Sequence, residues 1–163
     1  MSETSIYFDN NGTTLLDPRV LESMLPYLSQ QYGNATSRHL FGRSARQAIE
    51  RAREQVADAA GAHPSQVILT GSGTESNNLA ITGIASINQG NAIAVSAIEH
   101  PCVTRPAVAM QKRGWHLNTI GVDADGKLDK QALTDSLVSP TSLVSVMLAN
   151  NETGVIQDIA EIA

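Results

Sequence analysis

Aromatic residues are scarce in this chain. One Trp, three Tyr and two Phe make up 4% of 163 residues, too few for the stacking platforms that hold single-stranded nucleic acids. Basic residues are also short. Eleven Lys and Arg against 16 Asp and Glu give a net charge of −5, which argues against nucleic acid or an anionic membrane as the main partner. The single cysteine, Cys102, excludes an internal disulfide and a cysteine-rich metal knot, and no metal is expected. No apolar run reaches membrane-spanning length, and Met1–Thr4 lacks the basic-then-apolar pattern of a secretory leader. The expectation is a soluble protein in a reducing, cytoplasmic setting. Charged residues reach only 17%, below the usual quarter, so part of the surface is expected to lie under another chain or under further sequence.

What is present is alternation. After the extended Ile6–Phe8 and the turn-rich Asp9–Gly12, Asp17 and Pro18 form a helix start, cap first and proline in the first turn. A longer helix is predicted from about Arg43 to Ala60, with Ala45, Ile49, Ala52, Val56 and Ala59 at helical spacing and Gly61 as its stop. From there strands are predicted at 67–69, 92–95, 115–120 and 143–148. Helices are predicted at 74–87, 104–113 and 129–137, with a last one starting near Gln157. Apolar strands alternating with helices mean an α/β three-layer sandwich with a mainly parallel sheet, preceded by an N-terminal helical segment. The expected division is 1–61 and 62–163. The last segment is an apolar helix without a cap, so the chain reads as the N-terminal portion of something longer.

The chemistry sits where strands end. Leu69-Thr70-Gly71-Ser72-Gly73-Thr74-Glu75-Ser76 runs from an apolar strand through glycines into a helix. Free amides and the positive end of the helix dipole at such a start favour a phosphate, and the Thr74 hydroxyl adds a donor. The mononucleotide P-loop pattern is absent, and so is the third glycine of the dinucleotide fingerprint. By itself the stretch fits a plain capped turn as well as an anion cradle. Two further strand ends carry polar residues, Ile98-Glu99-His100-Pro101 and Asn150-Asn151-Glu152-Thr153-Gly154. In α/β sheets ligands bind at such ends. An anion site, a flat ring and an amide at one sheet edge suit pyridoxal 5'-phosphate. His100 as an ordinary helix-start residue and Asn150-Asn151 as an ordinary loop are the alternatives.

Tyr7–Thr14, Gly33–Gly42, Thr70–Asn78, Glu99–Pro101 and Asn150–Gly154, in this order and spacing, resemble the class V aminotransferase family. Within it the chain is most similar to cysteine desulfurases of the nitrogen-fixation and iron–sulfur assembly type. The resemblance implies a pyridoxal-phosphate transferase fold, incomplete here, with residues 1–61 contributing to the small domain and substrate mouth and 62–163 opening the large domain. It implies that Gly73 and Thr74 bind the cofactor phosphate. His100 would stack on the ring and act in proton transfer, and Asn151 would hydrogen-bond the ring hydroxyl or the substrate. Asn10, Asn11, Gly12 and Thr13 would line the substrate mouth. The implied reaction takes L-cysteine to L-alanine and passes sulfur, as an enzyme persulfide, to an iron–sulfur scaffold or other acceptor protein, in a homodimer. Selenocysteine lyase chemistry and a non-catalytic interaction module are the alternatives. Three positions depart from the family pattern: the Gly71-Ser72 order, Gly12 and Ala35. The family's Schiff-base lysine, pyridine-facing aspartate, nucleophilic cysteine and carboxylate-binding arginine have no counterpart in these residues. Cofactor binding by this chain alone is therefore expected to be weak or absent.

Overall fold

The computed structural model describes residues 5–87, 91–137 and 140–163, so the leader reading of Met1–Thr4 lies outside it. The described residues divide into two compact units, up to Leu69 and from Thr70 onward.

In the first unit, helix α1 spans Pro18–Ser29, with the Asp17 carboxylate capping the Arg19 amide and Pro18 in the first turn. Helix α2 runs Leu40–Ala60, three residues longer at its start than predicted. His39 supplies the cap there, its Nδ1 accepting from the Gly42 amide at 3.3 Å. Gly61 ends the helix in the left-handed conformation, φ 61°, which glycine enters at no steric cost. Gly42 is needed for closeness. A Cβ on it would lie 2.6 Å from the Asn34 carbonyl oxygen and nearer still to that of Ser37. The loop before α2 thus packs directly on the helix backbone.

The Val67–Leu69 strand predicted from its apolar run is not formed. A short 3₁₀ turn covers Pro64–Gln66, and the three residues after it are extended without a ladder partner among the described residues. Arg53 donates to the Val67 carbonyl, while Ile68 stays 69% exposed. A strand needs a neighbour, and apolar composition alone does not provide one.

The second unit is the α/β layer. Helix α3 (Gly73–Ile87) leads into β1 (Ala92–Ser96), α4 (Pro101–Gln111), β2 (His116–Ile120), α5 (Lys130–Ser136), β3 (Thr141–Ser145) and α6 (Ile159–Ile162). All strand pairs are parallel, in the order β2-β1-β3. Central β1 is buried along its whole length, as expected for a strand covered on both faces. Ile93 and Val95 pack on one side with Ile81 of α3 and Val103, Ala107 and Met110 of α4. Ala94 packs on the other with Ile120, Leu128 and Leu133. The sandwich therefore has three layers. β3 starts two residues earlier and ends three earlier than predicted, and α4 begins at Pro101, three residues before the predicted start.

Many large apolar side chains are exposed, including Leu21, Met24 and Leu28 of α1. That agrees with the low share of charged residues.

Candidate active site

The fold places one crevice by topology. From β1 the chain crosses through α4 to β2 on one side. From β2 it returns through α5, past β1, to β3 on the other. The helices that follow β1 and β3 lie against opposite faces, since Val103 of α4 and Ile162 of α6 belong to different core clusters. Adjacent parallel strands whose exits diverge in this way leave a gap at their carboxyl ends, where ligands of open α/β sheets bind. A cavity of about 230 Å³ lies there, lined by Ala97–Pro101 after β1 and Asn150–Thr153 after β3.

His100 is exposed at this crevice and is the N-cap of α4, its Nδ1 accepting the Cys102 amide at 3.1 Å. The capping bond fixes one nitrogen as acceptor, so in the neutral ring the proton sits on Nε2. It thus caps a helix and also presents an imidazole to the crevice. Cys102 is half-buried and accepts from the Asn77 side chain at 2.9 Å. That bond sets the first turns of α3 and α4 side by side.

The α3 start is the phosphate-type turn. The Ser72 hydroxyl accepts from the Glu75 amide at 3.2 Å, and the Glu75 carboxylate reaches back to the Gly71 amide at 2.7 Å. This reciprocal capping leaves the amides of Gly73 and Thr74, which have no intrahelical acceptor at a helix start. A Cβ on Gly73 would meet nothing within 4 Å, so space is open above the turn. Two amides, a hydroxyl and a helix dipole match the donor set a phosphate takes.

Asn150 and Asn151 differ in kind. Asn151 is exposed and lines the crevice. Asn150 is buried to 9% exposure and uses both ends of its amide. Its Nδ2 donates to the Ile98 carbonyl at 3.0 Å, and its Oδ1 accepts the Glu152 and Thr153 amides at 3.0 and 2.8 Å. Glu99 is half-buried between the strands, its Oε1 accepting the hydroxyls of Ser96 at 3.2 Å and Ser145 at 3.3 Å. Burial pushes its carboxyl above the ordinary range, while the two hydroxyls and the Met147 amide pull the other way. Neither Glu99 nor Asn150 was given a role of its own in the sequence. Their only signal there is position, beside His100 and Asn151 at two strand ends.

Gly73, Thr74, His100 and Asn151 all lie in the second unit, whereas Asn10–Thr13 lie in the first. There Gly12 closes a turn on Asp9, its amide donating to the Asp9 carbonyl at 3.1 Å. No helix among the described residues is long and apolar enough to cross a membrane. No group of three acidic, His or Cys side chains among them is placed to hold a metal.

The sequence profile of the class V aminotransferases matches residues 6–163. The chain belongs to the class V aminotransferase family. Members of this family are pyridoxal-phosphate enzymes. Among its curated relatives, the mitochondrial cysteine desulfurase of Drosophila melanogaster is 43% identical over 160 residues, covering 96% of this chain and 35% of that protein. The cysteine desulfurase IscS of Anaeromyxobacter sp. (strain K) is 44% identical over 160 residues, covering 96% and 40%. A solved NifS-like protein superimposes with a TM-score of 0.90 at 35% identity, covering 96% of this chain and 44% of that one. As a class V aminotransferase the chain thus spans two-fifths or less of the length of these curated relatives.

Proposed function

We propose that this chain is the N-terminal portion of a pyridoxal-phosphate-dependent cysteine desulfurase, which takes L-cysteine to L-alanine and passes the sulfur to an acceptor protein for iron–sulfur cluster or thio-cofactor assembly. The observation that carries this reading is the crevice itself: an imidazole at the β1 exit, an amide side chain at the β3 exit and a phosphate-type helix start alongside. The named relatives support the choice of branch, and one solved neighbour is described as SspA in complex with cysteine.

In this reading the Gly73 and Thr74 amides and the Thr74 hydroxyl hold the phosphate. His100 lies flat against the ring, and its Nε2 carries the proton it exchanges. Asn151 donates to the ring hydroxyl or the substrate, and Asn10, Asn11, Gly12 and Thr13 line the substrate mouth. The pyridoxal ring, when bound, supplies an electron sink for the bonds broken at the substrate carbon. Residues 1–61 contribute to the small domain and mouth, and 62–163 open the cofactor domain. The whole enzyme works as a cytoplasmic homodimer. The chain alone has no lysine in the family's Schiff-base motif, so it holds the cofactor weakly and is inactive.

Amide NMR with inorganic phosphate and then pyridoxal 5'-phosphate tests the reading. Shifts are expected at Gly73 and Thr74 with both, and at His100 only with the second. Thr74→Val weakens both. Borohydride treatment leaves no pyridoxyl label on Lys112, Lys127 or Lys130. Shifts confined to other residues, or a labelled lysine, would overturn it.

A further inference from the structure

One carboxyl of the second unit is half-buried at the edge of the crevice. Glu99 sits at the exit of β1, directly before His100, and has no basic partner among the described residues. The groups that act on it are neutral: the Ser96 and Ser145 hydroxyls and the Met147 amide. Ser145 is the last residue of β3, 46 positions away in sequence. The carboxyl therefore joins the ends of two strands beneath the crevice. The turn it belongs to is held a second time by Asn150, through the Ile98 carbonyl.

We propose that Glu99 is the positioning residue of this site: it clamps the turn carrying His100 to the end of β3, and its charge acts on the imidazole beside it. A clamp alone would not need a charge. Glutamine at this position would accept the same two hydroxyls and avoid the cost of burying an ionised group. What the carboxyl adds is a titratable charge one residue from the ring, in a partly desolvated pocket where such charges act strongly. An ionised Glu99 places a negative charge beside the ring, and a protonated one takes it away.

Other charges must be separated from this one. In the elements packed around the turn they are Glu152 in the loop after β3, Cys102 and Arg105 on α4, and Glu75 on α3. β3 brings none, and β2 brings only His116 at its opposite end. Glu75 and Glu152 are the two carboxyls whose charge could be confused with that of Glu99.

The test is a pH titration of the His100 ring by NMR on the whole 163-residue chain, assigned with His100→Gln. Besides the step of the ring itself, the wild-type curve is expected to show a second inflection, above the ordinary glutamate range. Glu99→Gln removes it, while Glu152→Gln and Glu75→Gln keep it. A wild-type curve with one step, an inflection that survives Glu99→Gln, or its loss in either control overturns the proposal. Should Glu99→Gln fail to fold, the wild-type curve and the two controls still decide. The consequence for a bound ring rests on the placement of His100 against the cofactor. The titration does not, so an unchanged phosphate response at Gly73 and Thr74 with a flat His100 curve would sink this inference alone.

Discussion

Asn150 donates to the Ile98 carbonyl across 52 residues of sequence, at 3.0 Å. This one side chain ties the loop after β3 to the turn after β1, and so sets the width of the crevice between them. Its other end caps the Glu152 and Thr153 amides. Asn150→Ala strips partners from groups on both walls, and a buried polar group left unpaired costs about 1–3 kcal/mol. Urea denaturation should show that loss, with the unfolding slope unchanged. A loss below about 0.5 kcal/mol would mean that water replaces the amide.

The fold was legible wherever pattern and partner lie close together. The α3–β1–α4–β2 run could be read from alternation because each apolar face is covered by its sequence neighbours. Val67–Leu69 could not, because composition cannot say whether a neighbouring strand exists. Of the candidate site, His100 and Asn151 stand out after apolar strand runs, and Gly73 and Thr74 at a glycine-rich helix start. Glu99 and Asn150 do not, because their work depends on which strand lies next to β1. That order skips β2, and no local pattern records it.

Glu99 predicts a pH dependence with a definite sign. Its carboxyl is raised in the folded chain, chiefly by burial. The folded state therefore holds the proton more tightly than the unfolded one, and the stability tied to it is fully present below the ordinary glutamate range. That stability is lost as pH rises through the raised value. Glu99→Gln should melt higher than wild type near pH 7, and the gap should close on acidification. Parallel melting curves from pH 4 to pH 7 would contradict the sign.

Two glycines should respond oppositely to the same change. Gly42→Ala forces a Cβ into the carbonyls of Asn34 and Ser37, backbone atoms that cannot move aside cheaply, and should cost about 1–3 kcal/mol. Gly73→Ala meets open space in a helical first turn and should cost nothing or add up to about 1 kcal/mol. Thermal melts of the two variants side by side decide it. Equal losses would mean that the close approach at Gly42 is not maintained in solution.

Gln157 joins the turn after β2 to the segment before α6. Its Oε1 accepts the Leu128 amide at 2.9 Å and its Nε2 donates to the Gly126 carbonyl at 2.8 Å, with 3% of its surface exposed. Gln157→Ala should cost about 1–3 kcal/mol, since the buried Leu128 amide and the half-buried Gly126 carbonyl lose their partners. Hydrogen exchange at the Leu128 amide should accelerate out of proportion to the global change. An unaltered rate relative to its neighbours would show that this bond is not the protecting one.

The strand order also fixes a schedule. During synthesis β1, α4 and β2 can close on one another as soon as they emerge, with His100 already capping α4. The wall that faces it arrives only with β3 and the Asn150 loop, some fifty residues later. A nascent chain held short of Thr141 carries the imidazole on an open sheet edge. On the ribosome, this crevice is therefore incomplete until the third strand has docked.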